Sequence, residues 1–208
     1  MKKHESLADF SLENAARAEG FSLVCGVDEA GAGPLMGPVY AAAVILPDGC
    51  VIEGLDDSKK LTEKRREALY PVICEKALAW AVAYCTEQEI DEINILNARM
   101  LAMQRAIDAL PMKPDLALID GNRNIGIVTE NRTVIGGDAK SLSIAAASVL
   151  AKVSRDRFVV DVLDKQYPEY QFAKHKGYGT KLHYEMLDQY GPCPCHRKTF
   201  LRKWEEKK

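Results

Sequence analysis

The clearest pattern of apolar positions in this chain is a pair of runs near its beginning. Residues 39–46, VYAAAVIL, are wholly apolar, which is typical of a central strand covered on both faces. Residues 22–28, SLVCGVD, also fit a strand, and the short glycine-containing link AGAGPLMGP between the runs predicts a hairpin. The sequence therefore predicts a sheet that begins with two antiparallel strands.

Helical and strand patterns alternate in the rest of the chain. Further strands are predicted at 77–85, 115–119 and 132–135. Helices are predicted at 5–19, 62–75, 87–93, 96–110, from Asp138 to about Lys165, and at 178–189 and 199–206. This order predicts an α/β fold in which helices flank a mixed central sheet. Since there is no internal repeat or linker, we expect a single domain over 1–208, with a basic and mainly helical C-terminal extension from about residue 165.

Composition is that of an ordinary globular protein. The chain has 208 residues, of which 47% are hydrophobic and 28% charged. Its longest wholly apolar stretch is about half as long as a membrane span requires. No apolar segment follows the basic residues at the beginning, so no secretory signal is predicted. We expect a cytoplasmic protein that acts as a monomer and has no membrane partner.

Charge is distributed unevenly along the chain. The net charge is −2, but residues 165–208 carry +5 and the first 164 residues carry −7. An acidic body beside a basic tail suits an enzyme that cuts phosphodiesters. A basic tail that is merely solvated explains the same numbers equally well.

Four carboxylates stand at predicted element ends: Asp28 and Glu29 after the first strand, Asp120 after the fourth, and Asp138 before a helix. Each has a structural explanation, because Asp28 could open a turn, Glu29 could face water, Asp120-Gly-Asn is a turn signal and Asp138 could be a helix N-cap. However, the ends of neighbouring parallel strands gather at one edge of a sheet. Several oxygen ligands there favour hard cations, and two Mg²⁺ or Mn²⁺ ions could serve phosphoryl chemistry.

One geometric condition applies to the adjacent pair Asp28 and Glu29. Neighbouring residues of a regular strand point to opposite faces, so both side chains can enter one site only if the strand ends or bulges there. The glycines that follow would permit this. Alternatively, Glu29 contributes its backbone carbonyl.

The six cysteines are scattered through apolar segments, as expected for reduced thiols used as small hydrophobic side chains. Cys193, Cys195 and His196 form the one cluster. A zinc site is one explanation, but the chain offers no convincing second pair of ligands. A turn with incidental thiols is therefore the favoured interpretation.

Six motifs, in order and spanning nearly the whole chain, match one family. They are GVDEAGAGPLMGPVYAAAVIL (26–46), LDDSKKLTEKRRE (55–67), LIDGN (118–122), GGDAKSLSIAAASVLAKVSRDR (136–157), YPEYQFAKHKGYGTKLHYEML (167–187) and GPCPCHRKTF (191–200). On these motifs the chain resembles bacterial ribonuclease HII, the type 2 ribonuclease H.

The resemblance implies a ribonuclease H-like fold and hydrolysis of RNA in RNA–DNA hybrids. It also implies incision 5′ of a single ribonucleotide in duplex DNA, giving 3′-hydroxyl and 5′-phosphate ends and removing misincorporated ribonucleotides. In the family two Mn²⁺ or Mg²⁺ ions are held by four acids, which align with Asp28, Glu29, Asp120 and Asp138. Three alternatives remain: another nuclease of the same fold such as a junction resolvase, a hybrid-binding protein with impaired catalysis, and an α/β domain whose acids are turns and caps.

The expected substrate-binding residues follow from the same motifs. Where the family usually has Gly-Arg-Gly, which reads the ribose 2′-hydroxyl, this chain has Gly31, Ala32 and Gly33. Tyr178 matches the family tyrosine that stacks on the sugar, although it could also be a helix-start aromatic half in the core. The expected phosphate contacts, each of which could instead be a solvated lysine, are Lys59, Lys60, Lys174 and Lys176.

Overall fold

The computed structural model describes residues 8–55 and 61–206 and contains a five-stranded mixed sheet. The strands are β1 Val24–Ala30, β2 Val39–Ile45, β3 Ala79–Cys85, β4 Leu116–Asp120 and β5 Asn131–Val134. Their order in the sheet is β3-β2-β1-β4-β5. β1 and β2 form the predicted antiparallel hairpin, β3 continues it, and β4 and β5 run parallel to β1. The predicted α/β class with a mixed sheet is confirmed.

Helices cover the sheet and form the C-terminal part of the described chain. They are α1 Ser11–Ala18, α2 Glu63–Lys76, α3 Glu87–Asp108, α4 Leu142–Phe158, α5 Asp164–Gln166, α6 Phe172–His175, α7 Lys181–Tyr190 and α8 Lys198–Glu205. Short 3-10 segments occupy Gly137–Ala139 and Pro168–Tyr170, and a π-helical segment at Val159–Leu163 joins α4 to α5. α2, α3 and α7 each begin after a threonine whose hydroxyl accepts a hydrogen bond from the backbone N–H three residues on.

α4 lies unusually close to the central strand β1. A Cβ on Gly26 would lie 2.2 Å from the backbone nitrogen of Ile144, so only glycine fits at this position. Ala145, Ala146 and Ala147 are fully buried against the same face. These small side chains let the helix lie close to the sheet, and the approach brings α4 side chains within reach of β1.

The two faces of β1 belong to two different cores. Val27 packs in the cluster that contains α3, whereas Ala30 packs in the cluster that contains α4. Alternate residues of β1 therefore face different helices. This alternation decides where the carboxylates of β1 point.

Several predicted boundaries are wrong. α1 starts at Ser11, and residue 9 instead makes a bridge to Ser141; residues 5–7 of the predicted helix lie outside the described residues. The separate helices predicted at 87–93 and 96–110 are confirmed, because the backbone of Asn94 is non-helical (φ 66°, ψ 162°) and divides α3 into two helical parts. The helix predicted from 178 begins only at Lys181, and the short helix α6 was not predicted.

Within residues 8–55 and 61–206, no helix is both long enough and apolar enough to cross a membrane.

Candidate active site

Asp28 and Asp120 lie side by side on neighbouring strands. β1 and β4 are parallel with Val27 opposite Ile119, so the next residue on each strand is an aspartate. Asp28 is buried, with 3% of its surface exposed, and it bonds the side chain of Ser148 on α4. The predicted meeting of these acids at one edge of the sheet is what the register produces.

The strand neither ends nor bulges at Asp28 and Glu29, and that prediction is wrong. β1 pairs with β2 without interruption from Gly26 opposite Val44 to Ala30 opposite Tyr40, because the hairpin turn comes only after Ala30. The two carboxylates consequently point to opposite faces. Asp28 faces α4, and Glu29 faces α3, where its Oε1 lies 2.5 Å from Nη2 of Arg99. The alternative that remains for Glu29 is its backbone carbonyl.

Asp120 and Asp138 are linked through a glycine. The backbone N–H of Gly137 donates to Oδ1 of Asp120 at 2.7 Å, so the carboxylate fastens a segment 17 residues away, which a simple turn residue would not do. Asp138 follows directly and is 3% exposed. It is not the N-cap of α4, because the hydroxyl of Ser141 fills that role by accepting from the N–H of Ile144 at 3.1 Å. The N-cap explanation of Asp138 is therefore wrong.

The electrostatics of these acids favour a cation. Burial, followed by the charges of Glu29 and Asp120, raises the pKa of Asp28 well above its usual value. A divalent ion would relieve this repulsion, and an all-oxygen donor set matches Mg²⁺ or Mn²⁺. Among the described residues, no three of these carboxylates have ligand oxygens within 4.8 Å of one another, so ions would have to draw them together.

A cleft of about 230 Å³ adjoins the acids. Its lining residues are Glu29, Ala30, Gly31, Ala32, Gly33, Arg66, Ser148, Lys152 and Tyr178. The glycine loop, defined as residues 31–33, thus shares the cleft with Tyr178. Tyr178 precedes α7 rather than starting a helix, and 43% of its surface is exposed. An available aromatic face suits stacking better than the core role does.

Two buried arginines hold the glycine loop, and sequence reasoning missed both. Arg197 donates to the carbonyl oxygens of Gly31 at 2.7 Å, Ala32 at 3.1 Å and Gly37 at 2.9 Å. Arg155 packs directly against Gly31: a Cβ added to Gly31 would lie only 2.2 Å from Nε of Arg155. Arg155 stands among other charged residues of α4 (Lys152, Asp156 and Arg157), so the sequence does not mark it as buried, yet both arginine side chains are fully buried.

Arg99 was also missed. It lies on α3, and it contacts Glu29 across 70 positions of the chain. No local sequence pattern predicts the ion pair between Arg99 and Glu29, because it depends on which helix covers which face of β1. The arginine places a positive charge beside the acids from the face opposite α4.

The predicted lysine contacts fare unevenly. Lys59 and Lys60 lie outside the described residues. Nζ of Lys176 donates to the carbonyl of Ala173 at 2.8 Å and lies 3.8 Å from the carboxylate of Glu63. Its charge is therefore already paired within the protein. Nζ of Lys174 donates to the side chain of Gln171. Neither described lysine lines the cleft, whereas Lys152 does.

Comparisons with known proteins agree on one family. The profile described as Ribonuclease HII matches residues 25–203. The ribonuclease HII of Caldicellulosiruptor bescii is 51% identical over 202 residues, 97% of this chain and 98% of that protein. The ribonuclease HII of Vibrio parahaemolyticus is 57% identical over 182 residues, 88% of this chain and 86% of that protein. The crystal structure of the ribonuclease H2 from Pyrococcus horikoshii OT3 matches with a TM-score of 0.72 at 29% identity, covering 89% of this chain and 98% of that chain.

Proposed function

The chain belongs to the ribonuclease HII family, and from that premise we propose that it hydrolyses RNA in RNA–DNA hybrids and incises 5′ of a single ribonucleotide in duplex DNA. The products are a 3′-hydroxyl and a 5′-phosphate. The observation that carries this proposal is that Asp28 lies beside Asp120, which holds the segment of Asp138, while Ser148 joins Asp28 to a cleft shared by the glycine loop and Tyr178. Such a cleft brings a ribose and a hydrolytic centre together.

The acids have distinct parts in this proposal. Asp28, Asp120, Asp138 and the backbone carbonyl of Glu29 would hold two divalent ions, Mn²⁺ or Mg²⁺, with Asp28 shared between them. When bound, the ions supply Lewis acidity for the attacking water and the leaving oxygen. Ser148 orients the Asp28 carboxylate through their hydrogen bond. Asp120 fixes the segment that carries Asp138 through its bond to Gly137.

The glycine loop and Tyr178 recognise the ribonucleotide. Arg197 already occupies the carbonyls of Gly31 and Ala32, so we assign recognition of the 2′-hydroxyl to the amide N–H groups of the loop. Tyr178 stacks on the adjoining sugar. Lys152 and Arg66, both in the cleft lining, contact phosphates without reading sequence.

Ala32 removes the arginine that the family usually has in this loop. The catalytic acids are all present, which favours retained cleavage over the alternative of a hybrid-binding protein with impaired catalysis. We expect weaker substrate binding or an altered junction preference. In the cell the proposed role is removal of misincorporated ribonucleotides by a cytoplasmic, single-domain monomer.

The decisive experiment compares three duplexes: all DNA, DNA with one ribonucleotide, and an RNA–DNA hybrid, each in Mg²⁺ and in Mn²⁺. We expect the protein to cut the second on the 5′ side of the ribose, to cut the RNA strand of the third, and to leave the first intact. Asp120→Asn should abolish cleavage but keep hybrid binding. Cleavage of the all-DNA duplex or of branched DNA would favour another nuclease of this fold. Tight binding without turnover in either ion would favour a binding protein.

A further inference from the structure

A cluster of two thiols and an imidazole lies in the turn that precedes α8, away from the acids. The candidate ligand atoms of Cys193, Cys195 and His196 all lie within 4.8 Å of one another. The two Sγ atoms are 3.2 Å apart, and Sγ of Cys193 is 3.1 Å from Nδ1 of His196. Cys195 and His196 are buried, while Cys193 is half-buried. The turn thus directs its three side chains to one point, which is not expected of thiols that are there by chance.

A chain of hydrogen bonds determines which nitrogen of His196 is available. Nδ1 of His183 lies 3.0 Å from the carbonyl of Tyr178, which can only accept, so this nitrogen carries the hydrogen. His183 is fully buried, which favours its neutral form, and its Nε2 is therefore an acceptor. Nε2 of His196, 3.0 Å away, must donate to it. Nδ1 of His196 consequently carries a lone pair, which accepts from the backbone N–H of Cys193 at 3.0 Å and would exchange that hydrogen bond for a bond to a metal ion.

His196 is held as metal-binding histidines commonly are. Metal-binding histidines commonly donate their second ring N–H to another protein group, which fixes the tautomer. Two sulfurs and one nitrogen form a donor set that suits zinc and not the hard cations of the acidic site. We propose that Cys193, Cys195 and His196 bind one zinc ion, with the fourth position open to the adjoining cleft.

The cleft on the open side has acidic walls. It has a volume of about 430 Å³, and Glu87, Asp91 and Glu205 are among its lining residues. Acidic walls favour entry of a cation, and a water or the Glu87 carboxylate can complete four-coordination. Zn–S bonds of about 2.3 Å and Zn–N bonds of about 2.0 Å put tetrahedral donor atoms roughly 3.5–3.8 Å apart. The side chains must therefore separate by about 0.5 Å to admit the ion, a small movement for a half-exposed thiol.

The proposed ion would stabilise the position of the glycine loop indirectly, through the residue that follows the cluster. Residue 197, next in the chain, is the arginine that holds the carbonyls of Gly31 and Ala32. The carbonyl of Cys195 also accepts from the N–H of Gly37 at 2.8 Å, and Tyr178 is tied to the cluster through His183. Zinc at this turn would hold the glycine loop and Tyr178 in register with each other.

Cobalt(II) titration of the fully reduced, metal-stripped full-length protein tests this site. A cobalt–thiolate bond gives a charge-transfer band in the near ultraviolet, which carboxylate-bound cobalt does not, so the acidic site does not interfere. We expect this band to saturate at one ion per chain and to disappear when zinc is added. Asp120→Asn should leave it unchanged. His183→Leu should weaken cobalt binding about 10- to 100-fold by removing the acceptor for His196.

Matched variants separate the site from other thiols. Cys193→Ser and Cys195→Ser should each abolish the band, whereas Cys74→Ser, which removes a half-buried thiol on α2, should not. If the reduced protein shows no band, or keeps it in Cys193→Ser, the proposal is wrong and the thiols are incidental. Formation of a Cys193–Cys195 disulfide in air, with no zinc bound by the reduced form, would likewise overturn it. None of these readouts depends on cleavage.

Discussion

Glu29 is neutralised by a cation of the protein itself. Its carboxylate lies 2.5 Å from Arg99, and both side chains are mostly buried, at 13% and 25% exposure. Arg99 thereby offsets one of the charges around Asp28, whose pKa is raised by burial and then by the charges of Glu29 and Asp120. Arg99 therefore stabilises the ion-free site and opposes the binding of further cations.

We expect Arg99→Gln to move ion binding and ion-free stability in opposite directions. Loss of the charge should tighten Mn²⁺ binding by about tenfold, since unit charges a few ångströms apart interact by a few kcal/mol near a protein surface. The ion-free protein should lose about 1–3 kcal/mol because a mostly buried carboxylate loses its cation. Calorimetric Mn²⁺ titration and thermal unfolding in a chelator measure the two effects.

Arg105→Gln is the matched control for this change. It removes the same charge from the same helix, where Arg105 pairs with Glu89 at a more exposed position. Its effect on Mn²⁺ affinity should be small because that pair does not contact the site residues. Equal effects of the two variants would mean that Arg99 acts only through net charge.

Ala32 offers a second prediction for a single residue. It is half-buried in the cleft lining, so a longer side chain can extend from the loop without displacing a core residue. We expect Ala32→Arg to lower KM about fivefold at low salt through one added phosphate contact, with little change in kcat. The comparison uses a duplex with one ribonucleotide. An unchanged KM together with an unchanged preference among junctions would refute the prediction.

The pairing of β1 and α4 is the element contact on which the site depends. α4 supplies Ser148 to Asp28, and this requires the backbone approach that Gly26 permits. A Cβ at this position meets backbone atoms, which cannot rotate away. The helix and strand would have to separate, which would move Ser148 away from the Asp28 carboxylate.

We predict that Gly26→Ala destabilises the protein by about 3 kcal/mol and also lowers kcat. The added methyl group would clash with backbone atoms, and no side-chain rotation can relieve that clash. Chemical denaturation and steady-state cleavage measure the two quantities. Gly179→Ala is the control, because its neighbour is the tip of the partly exposed Tyr184 side chain, which can move. A Gly26→Ala protein as stable as this control would contradict the close approach.

How much of the elements could be predicted depends on the range of the interactions that set them. The apolar run of β2 and the aspartate that ends β4 are visible locally, so the sheet and the position of Asp120 could be anticipated. The extent of β1 could not, since pairing with β2 rather than local pattern carries the strand through Glu29 to Ala30. Contacts such as the hydrogen bond from Arg197 to Gly31 join residues 166 positions apart, and no pattern in the sequence between them indicates the contact.

At the scale of the whole molecule, the C-terminal extension forms a small core of its own, separate from the two cores on the faces of β1, and residues that follow the glycine loop pack into it. Leu35 and Met36 pack with residues of the 159–201 region, among them Phe172 and Leu187. Backbone hydrogen bonds also join Leu35 to Gly177 and to Arg197. The ribonuclease H-like fold implied by the motifs is confirmed by the structural relatives, and the extension explains how distant motifs serve one cleft.

The excess positive charge of residues 165–208 has two explanations, a nucleic-acid contact or a solvated surface, and the fold separates them. Among the described residues, the basic side chains that line the cleft beside the acids are Arg66 and Lys152, both outside residues 165–208, whereas Arg202 on α8 lines a different cleft with Asp91 and Asn94. We expect substrate binding by an Asp120→Asn protein to weaken with salt, and Lys152→Gln to reduce the slope of log K against log salt by about 1, the value for one phosphate contact. Arg202→Gln removes the same charge and should leave the slope unchanged, because Arg202 does not line the cleft beside the acids. Equal reductions in both variants would show that the basic extension binds the duplex over a wider surface than the cleft.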